Sequence, residues 1–502
     1  MDVLQLLFDG FFISLSFANL LACTTGVILG TLVGVLPGIG PIGTIALLLP
    51  LSFNMDATAS IIMFAGIYYG AMFGGSTTSI LLNVPGEASS VITCVDGHAM
   101  ARKGRGGAAL AVAAIGSFIA GTAGLLGLTF FAPVLADAAL FFGPPEYFAI
   151  AVLGLIILTR LTGTSMLKSA LMATAGIMLG TIGLDSMTGI SRFAFGIDEL
   201  QRGMEVSIVA MGLFGISELL DTMIEPNTKK QVQQVRFREL YPNLEEWRRS
   251  VAPIFRGSVI GFLAGLLPGP SGIISSFASY ALEKKRSKVP EEFGQGAIEG
   301  VAGPESANNA AASATMIPLL SLGLPFSAGS AILLSGFMIH GIVPGPTLIT
   351  QHSDLFWGLI ASMYIGNVLL LIINLPLVGI FAYLLKTPLN ILMPIVLMVT
   401  MTGAYSINNS MFDLSLLLGF GFLGFFMKRA GYEPVPLIIG LVLGPTVETG
   451  LTQSLIIGNG NVSSLFLRPI SGTILVIGLL IIVYNLVGWE GNSKSWQKES
   501  GY

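Results

Sequence analysis

Long apolar segments follow one another along almost the whole chain, and short polar connections separate them. A helix needs about 20 predominantly apolar residues to cross a bilayer, and several of these segments reach that length. The sequence therefore predicts an all-α polytopic membrane protein. The segments lie at 58–83, 107–135, 144–160, 169–185 and 204–224 and, after a polar loop, at 296–321, 354–383, 388–403, 411–427, 434–452 and 470–488.

The composition supports this interpretation. Charged residues make up only 10% of the chain, whereas a soluble domain carries about 25%. The net charge of −4 and the lack of a basic patch argue against nucleic acid as a partner. Two cysteines, Cys23 and Cys94, are too few for a disulfide framework, and the histidines are too scattered for a metal site. No metal and no cofactor are predicted.

Two further apolar segments, at 26–52 and 257–283, are each interrupted by Leu-Pro-Gly. Residues 26–38 read GVILGTLVGVLPG and residues 257–269 read GSVIGFLAGLLPG, so seven of thirteen positions match at a constant offset of 231. Ten helical residues rise only about 15 Å, half the hydrocarbon thickness. Each segment is therefore predicted to be a re-entrant hairpin, and the match indicates an internal repeat.

The distribution of basic residues predicts that the two hairpins enter from opposite sides. Cytoplasmic connections are enriched in lysine and arginine. The flanks of the first hairpin contain Asp9 and Asp56 but no basic residue, whereas both flanks of the second are basic. Five predicted crossings separate the hairpins, and an odd number inverts the second copy, as in many transporters. The basic residues are Lys229, Lys230, Arg236, Arg238, Arg248, Arg249 and Arg256 before the hairpin and Lys284, Lys285, Arg286 and Lys288 after it.

These patterns predict four parts of the chain. Residues 1–224 form the first repeat, a hairpin with about five crossings, and residues 257–452 form the second, inverted repeat of the same composition. Residues 225–256 form a cytoplasmic loop with an interfacial arm at 240–252, and residues 453–502 form a last transmembrane helix and a cytoplasmic tail. In an alternative interpretation, residues 11–36 are one ordinary crossing.

Each hairpin is followed by a second broken region, at 69–90 and at 300–330, that is rich in small, hydroxyl and amide residues. Backbone groups freed at such breaks, together with polar side chains, bind an anion without a buried arginine. The alternative is that these residues only pack helices together. The predicted substrate-binding residues are Pro37, Gly38, Gly40, Ser76, Thr77, Thr78, Asn83, Gly269, Ser271, Asn308 and Asn309.

Ionisable residues at membrane depth are functional candidates by default. Glu305, between Pro304 and Ser306, is the strongest, and together with the helix ends at Gly34 and Gly265 it is predicted to bind a coupling ion, either sodium or a proton. For Glu87, a charge at a helix N-terminus is the structural alternative. The other ionisable candidates are Asp96, Glu299 and Glu448.

Three classes of function fit a chain of this kind. A secondary transporter is favoured, an anion-conducting channel is the alternative because re-entrant hairpins also occur in pores, and an intramembrane enzyme is a third. The sequence contains no Walker loop and no nucleophile–base motif, so neither an ATP-driven pump nor a hydrolase is predicted.

The motifs taken together resemble the large membrane subunit of the tripartite tricarboxylate transporter family. The resemblance covers essentially the whole chain. It rests on GVLPGIGP at 34–41, YGAMFGGSTTSILLNVPGE at 69–87, GLLPGPSG at 265–272, GPESANNAAA at 303–312, PLLSLGLP at 318–325 and HGIVPGP at 340–346.

This resemblance implies ion-coupled import of carboxylates such as citrate across the bacterial inner membrane. It also implies two protein partners, a small membrane subunit and a periplasmic solute-binding protein. The paired hairpins are similar to those of elevator-type transporters, in which a mobile domain carries the site. The hairpin tips and breaks would then form the moving core, and the later helices of each half would form the scaffold and a homodimer contact.

Overall fold

The computed structural model describes residues 3–35, 40–49, 52–53, 55–83, 85–161, 165–185, 188–224, 241–377 and 408–488, together with a few single positions between 394 and 405. In this part of the chain the secondary structure is helical apart from one two-stranded antiparallel ladder. The prediction of an all-α membrane protein is confirmed at this level.

The helices follow one another in chain order and are numbered here accordingly. They are α1 (Val3–Ser14), α2 (Phe17–Val35), α3 (Gly40–Leu48), α4 (Ala57–Leu82), α5 (Val91–Arg102), α6 (Gly106–Ala139), α7 (Pro144–Leu161), α8 (Met166–Gly180), α9 (Val206–Ala210), α10 (Ser217–Ile224), α11 (Leu244–Gly265), α12 (Ser271–Arg286), α13 (Glu299–Ala314), α14 (Met316–Leu322), α15 (Ala328–Ile339), α16 (Leu348–Gln351), α17 (Ser353–Asn374), α18 (Met411–Arg429), α19 (Val435–Ile457), α20 (Ser464–Leu467) and α21 (Pro469–Gly488).

Shorter elements lie between these helices. A π-helical turn at Met211–Ile216 joins α9 to α10, and the ladder pairs β1 (Gly183–Leu184) with β2 (Ser191–Arg192). The 3₁₀ turns lie at Ala88–Ser90, Asp198–Arg202 and Pro290–Glu292.

Six of the described helices are long and apolar enough to cross a membrane, judged by length and composition alone. Shorter apolar helices, among them α1, α8 and α15, lie between them. The six are α2, α4, α6, α17, α18 and α19.

The first arms of the two predicted hairpins are longer than the sequence analysis expects. Helix α2 starts at Phe17, nine residues before the predicted start, and thus resembles the alternative of one long segment at 11–36. Helix α11 runs without a break from Leu244 to Gly265, so the predicted interfacial arm and the first hairpin arm are one helix. Asn243 begins this helix with a capping box, because its side chain accepts from the Glu246 N–H at 2.8 Å.

The chain divides by contacts into two compact units. The first comprises Met1–Ala139 and Met204–Pro434, and the second comprises Leu140–Gly203 and Val435–Tyr502. Each unit takes segments from both halves of the sequence. The first contains both Leu-Pro-Gly segments and both later breaks.

Helices α2 and α4 of the first unit pack closely because glycines remove the side chains between them. A Cβ atom added at any of three α2 glycines, spaced by four residues, would overlap a backbone carbonyl of α4. Small residues of this kind let membrane helices approach to backbone contact. The pairs are Gly26 with Met63, Gly30 with Ile67 and Gly34 with Ala71.

The same contact recurs between α11 and α13. Three α11 glycines, again spaced by four residues, lie against backbone carbonyls of α13. The repeated sequence at 26–38 and 257–269 thus corresponds to a repeated helix–helix contact. The pairs are Gly257 with Gly303, Gly261 with Ala307 and Gly265 with Ala311.

In the second unit, α7 packs against α8, α19 and α21, and α8 packs against α19. Two ion pairs hold its polar ends. Arg468 contacts the buried carboxylate of Glu146 at 2.9 Å, and Arg192 in β2 contacts Glu448 on α19. Glu448, an ionisable candidate from the sequence, therefore has a basic partner.

Candidate functional site

The two breaks that follow the predicted hairpins have the same backbone geometry. Helix α4 ends at Asn83 and helix α14 ends at Gly323, and both residues adopt the left-handed conformation, with φ of 55° and 71°. A proline follows two residues later in each case, Pro85 and Pro325, and prevents the helix from continuing. Gly323 lies 240 residues after Asn83, and Pro325 lies 240 residues after Pro85.

The chain re-enters helical structure in the same way after each break. The Glu87 N–H donates to Ser90 Oγ at 3.3 Å, and the Ser327 N–H donates to Ser330 Oγ at 2.9 Å. Both arrangements are capping boxes, which satisfy backbone donors that a helix start leaves free. These positions are also 240 residues apart.

Each break lies against the Leu-Pro-Gly segment of its own half. A side chain at Gly86 would overlap the carbonyl oxygen of Gly34, at the end of α2. In the second half, the Gly269 N–H, in the Leu-Pro-Gly connection, donates to the Phe326 carbonyl at 2.8 Å. Gly269 has a φ of 138°, which a side chain would disfavour.

The helix that follows each Leu-Pro-Gly connection also contacts the opposite half of the chain. Helix α3 contacts α15, and α12 contacts the turn at Ala88–Ser90. At the second of these junctions, a Cβ on Gly272 would lie 2.8 Å from Asn308 Oδ1 and 3.2 Å from Ser89 Cβ. We call the region bounded by the Ala88–Ser90 turn, α4, α5, α6, α12 and α13 the polar chamber.

Glu305 lies inside the polar chamber on α13 and is only 1% exposed. Ser76 Oγ on α4 donates to one of its carboxylate oxygens at 2.5 Å, and Thr93 Oγ1 on α5 donates to the other. Three helices therefore meet at this one carboxyl group. Of the three residues involved, Glu305 and Ser76 are predicted site residues. Thr93 is not among the predicted site residues, because no motif in the surrounding sequence indicates that it bonds to another helix.

Asn308 follows on the same helix and bonds to a second acidic residue. Its Nδ2 donates to Glu87 Oε1 at 2.7 Å, and Ser89 Oγ donates to the same oxygen at 2.5 Å. For Glu87, the sequence left a structural alternative, in which its charge only stabilises a helix N-terminus. The structure shows that its side chain bonds across the chamber to the other half of the chain.

Asn309 bonds on the α6 side of the chamber. Its Nδ2 donates to Ser117 Oγ at 2.7 Å and to the Glu305 carbonyl at 3.1 Å, while its buried Oδ1 has no partner among the described residues. A small cavity lies next to this contact. Its polar lining is Ser76, Thr77, Ser117 and Asn374.

The other predicted residues lie close by but bond locally. Thr78 Oγ1 donates to the Gly75 carbonyl of its own helix at 3.0 Å, and Asn83 is an exposed helix cap. Ser271 is the buried first residue of α12, and its N–H donates to the Gly269 carbonyl at 2.8 Å.

Three described glycines of the predicted site lie at helix ends. Gly34 and Gly265, predicted to bind a coupling ion, lie at the ends of α2 and α11 and contact α4 and α13. Gly40 begins α3 with a φ of 64°. Pro37 and Gly38 lie outside the described residues.

Two buried acids of the first unit, Asp96 and Glu283, have strong partners. By contrast, Glu87 and Glu305 in the chamber have no basic partner among the described residues. Asp96 accepts three backbone N–H bonds, and Glu283 pairs with Arg256. No ion pair among the described residues involves Glu87 or Glu305. A buried carboxylate without a counter-charge is costly, so such groups are retained where they have a function.

A model of the tripartite tricarboxylate transporter TctA family matches residues 20–439, which contain the whole chamber. The chain belongs to this family. Membership identifies it as a subunit of a membrane transport system, and the membrane-length helices make it a multi-pass membrane protein. The family also agrees with the resemblance derived from the motifs.

Two proteins of Agrobacterium vitis are similar to the chain. An uncharacterised 52.8 kDa protein of the TAR-I ttuC' 3' region is 48% identical over 487 residues, which cover 97% of each chain. A protein of the TAR-II ttuC' 3' region is 48% identical over 227 residues, which cover 45% of this chain and 94% of the relative. No solved structure matches the chain.

Proposed function

We propose that the chain is the permease subunit of a secondary transporter that imports small di- and tricarboxylates, such as citrate, across the bacterial inner membrane. The observation that carries the proposal is the polar chamber, where interrupted helices from both halves meet around Glu305, Asn308 and Asn309. Its hydroxyl and amide donors bind an anion without the strong hold of a buried arginine. Weak, neutral binding allows release on the other side.

Within this proposal, the two halves are inverted repeats. Residues 1–224 and 257–452 are the copies, 225–256 is the cytoplasmic connection, and 453–502 is the last crossing with its tail. The recurrent glycine contacts and the two breaks that are 240 residues apart support the repeat. The asymmetric distribution of lysine and arginine supports the inversion.

The transport step in this proposal is an elevator movement. The first compact unit contains both re-entrant hairpins and both breaks, and would carry the substrate. The second unit contains later helices of each half and would serve as scaffold and homodimer contact. Membership of a tripartite family supports a small membrane subunit and a periplasmic solute-binding protein as partners.

The coupling ion is sodium or a proton, and Glu305, together with the helix ends at Gly34 and Gly265, is what we assign to it. Glu305 has two hydroxyl donors but no basic partner among the described residues. A cation or a proton would supply the missing compensation for its buried charge.

The test is uptake of labelled citrate into vesicles that contain the chain with its small subunit and binding protein. Sodium and pH gradients are imposed separately. We expect accumulation with at least one of them, and we expect Asn308→Ala and Thr77→Ala to abolish it. Asn367→Ala is the matched control, because Asn367 bonds to the Phe118 carbonyl at 2.9 Å and to Thr122, outside the chamber.

Two results would contradict the proposal. Unchanged uptake by both chamber variants would remove the site. Citrate flux that never exceeds equilibrium under either gradient would instead indicate a channel.

A further inference from the structure

The chamber contains a carboxylate that belongs to the protein and occupies donors suited to a substrate carboxylate. Asn308 Nδ2 and Ser89 Oγ both donate to Glu87 Oε1, at 2.7 and 2.5 Å. Asn308 was predicted as a substrate contact because its amide can bind an anion. In this structure that donor is already used by Glu87.

Glu87 is held at a junction of both halves. Its backbone lies in the break after α4, its side chain reaches α13, and α12 closes against the same place through Gly272. Glu87 is only partly buried, whereas Asn308 is 1% exposed. The donors are therefore buried in the protein, and the side chain that occupies them is partly exposed.

The charges around Glu87 give its carboxylate no compensation. The titratable groups that face it are Glu305 on α13 and Tyr68 on α4. On α5, Asp96 bonds away towards Gly294, and on α12, Glu283 pairs with Arg256. Also on α5, the Cys94 thiol bonds to the Ser90 carbonyl and the His98 ring contacts the Ile80 carbonyl at 3.1 Å. On α12, the Tyr280 hydroxyl donates to Asp96 at 2.9 Å.

We infer that Glu87 holds the substrate donors in the empty site and takes up a proton when a substrate carboxylate displaces it. This inference rests on the proposed function. A neutral carboxyl accepts hydrogen bonds more weakly than a carboxylate, so protonation frees Asn308 and Ser89. It also removes the negative charge that would repel an anionic substrate.

The proton balance of the cycle is simple. One proton from the outer solution binds a Glu87 carboxylate oxygen as the substrate anion takes over Asn308 Nδ2 and Ser89 Oγ. On the inner side the anion leaves, the proton passes to the cytoplasm, and the Glu87 carboxylate returns to the same donors. One proton thus moves with each substrate, in addition to any ion bound at Glu305.

Linkage gives the expected pH dependence of binding. If the substrate binds only when Glu87 is protonated, the apparent Kd rises by about tenfold for each pH unit in the range where Glu87 is mostly ionised. Without an ionisable group at this position the dependence disappears.

The experiment compares wild type, Glu87→Gln and Glu245→Gln in vesicles with the small subunit and the binding protein. Glu245 is the matched control because it is an exposed carboxylate on α11. Labelled citrate is the probe, and its own titration is common to all three. Two quantities are measured: citrate exchange at equal pH on both sides, and accumulation driven by an imposed pH gradient.

We expect Glu87→Gln to exchange citrate with only the pH dependence that comes from citrate itself, and to accumulate less citrate than wild type under the same pH gradient. Glu245→Gln should behave as wild type. Glu87→Asp, which keeps a carboxyl group on a shorter side chain, should restore accumulation at a reduced rate. If the Gln variant does not yield folded protein, accumulation by Glu87→Asp under the pH gradient is the test of the inference.

Four outcomes would overturn the inference while leaving the proposed function intact. They are pH-driven accumulation by Glu87→Gln at the wild-type level, wild-type accumulation that follows only a sodium gradient, and loss of exchange in folded Glu87→Gln or of accumulation in folded Glu87→Asp. If wild type itself neither exchanges nor accumulates any carboxylate tested, the proposed function fails instead.

Discussion

Asp96 fixes a loop of the second half to a helix of the first, and its substitution tests how much this contact stabilises the fold. Asp96 is fully buried on α5. One of its carboxylate oxygens accepts the N–H groups of Gly294, Gly296 and Ala297 at 2.8, 2.7 and 2.9 Å, and the other accepts the Tyr280 hydroxyl at 2.9 Å. All four donors lose their acceptor together when this side chain is removed.

The expected loss in the free energy of unfolding follows from the number of hydrogen bonds that are removed. A hydrogen bond to a charged group contributes about 1.5–3 kcal/mol. Four bonds at the lower value give a loss of about 6 kcal/mol for Asp96→Ala. Charge-assisted bonds are roughly twice as strong as neutral ones, so Asp96→Asn, which keeps an acceptor oxygen in place, should lose about 3 kcal/mol. Tyr280→Phe removes a single bond and should lose about 1.5 kcal/mol.

The assay is unfolding of the purified proteins in detergent, followed by tryptophan fluorescence as temperature or denaturant is raised. We expect the order wild type, Tyr280→Phe, Asp96→Asn, Asp96→Ala from most to least stable. The ring contact between Tyr280 and Phe293, with centroids 5.3 Å apart, remains in Tyr280→Phe and makes it a matched control. If Asp96→Ala is no less stable than Tyr280→Phe, the bonds to the loop do not contribute as argued.

Two further substitutions test the packing and the charge pairing of the first unit. Gly30→Leu should yield little folded protein by size-exclusion chromatography, because its side chain would overlap the Ile67 backbone, whereas Gly419→Leu, with open space around it, should be tolerated. Arg256→Ala should cost about 3–5 kcal/mol in the same unfolding assay, because it leaves Glu283 buried without its partner. Replacing Arg256 with Met and Glu283 with Leu together should recover most of that loss, and no recovery would argue against the charge as the cause.

Part of this fold is predictable from the sequence because the glycines of the two repeated segments are regularly spaced. The pattern at 26–38 and 257–269 predicts two equivalent helices, and the spacing of four places all glycines of each helix on one face. The structure uses those faces for the contacts with α4 and α13. The helix starts were less predictable, because residues 17–25 and 244–256 continue the helices without a sequence signal that separates them from the arms.

The candidate site was predictable as a set of residue types but not as a set of bonds. Glu305, Ser76 and Asn308 were identified because they are polar in an apolar context. Their partners Thr93 and Glu87 lie 212 and 221 residues away in sequence, and only the packing of α13 against the first half brings them together. Long-range pairing of this kind has no local signature.

Asp96 is a second residue whose bonding partners could not be predicted from the sequence. As an ionisable residue near membrane depth it was a functional candidate. In the structure its carboxylate is buried, and its described bonds go to the loop at 294–297 and to Tyr280. Whether an acid is structural or functional depends on its partners, and for Asp96 those come from the other half of the chain.

The bonds of α13 also bear on which helices move together in the proposed elevator step. From this one helix, Glu305 bonds to α4 and α5, Asn308 bonds to the break after α4, and Asn309 bonds to Ser117 on α6. A Cβ at Gly124 on α6 would lie 2.5 Å from Ser313 Cβ, so α6 and α13 are also in close steric contact. A rigid-body movement that kept α6 in the scaffold would have to break the Asn309–Ser117 bond inside the membrane, where no water replaces it. In the proposed elevator step, helix α6, although a later helix of the first half, would therefore move together with α13.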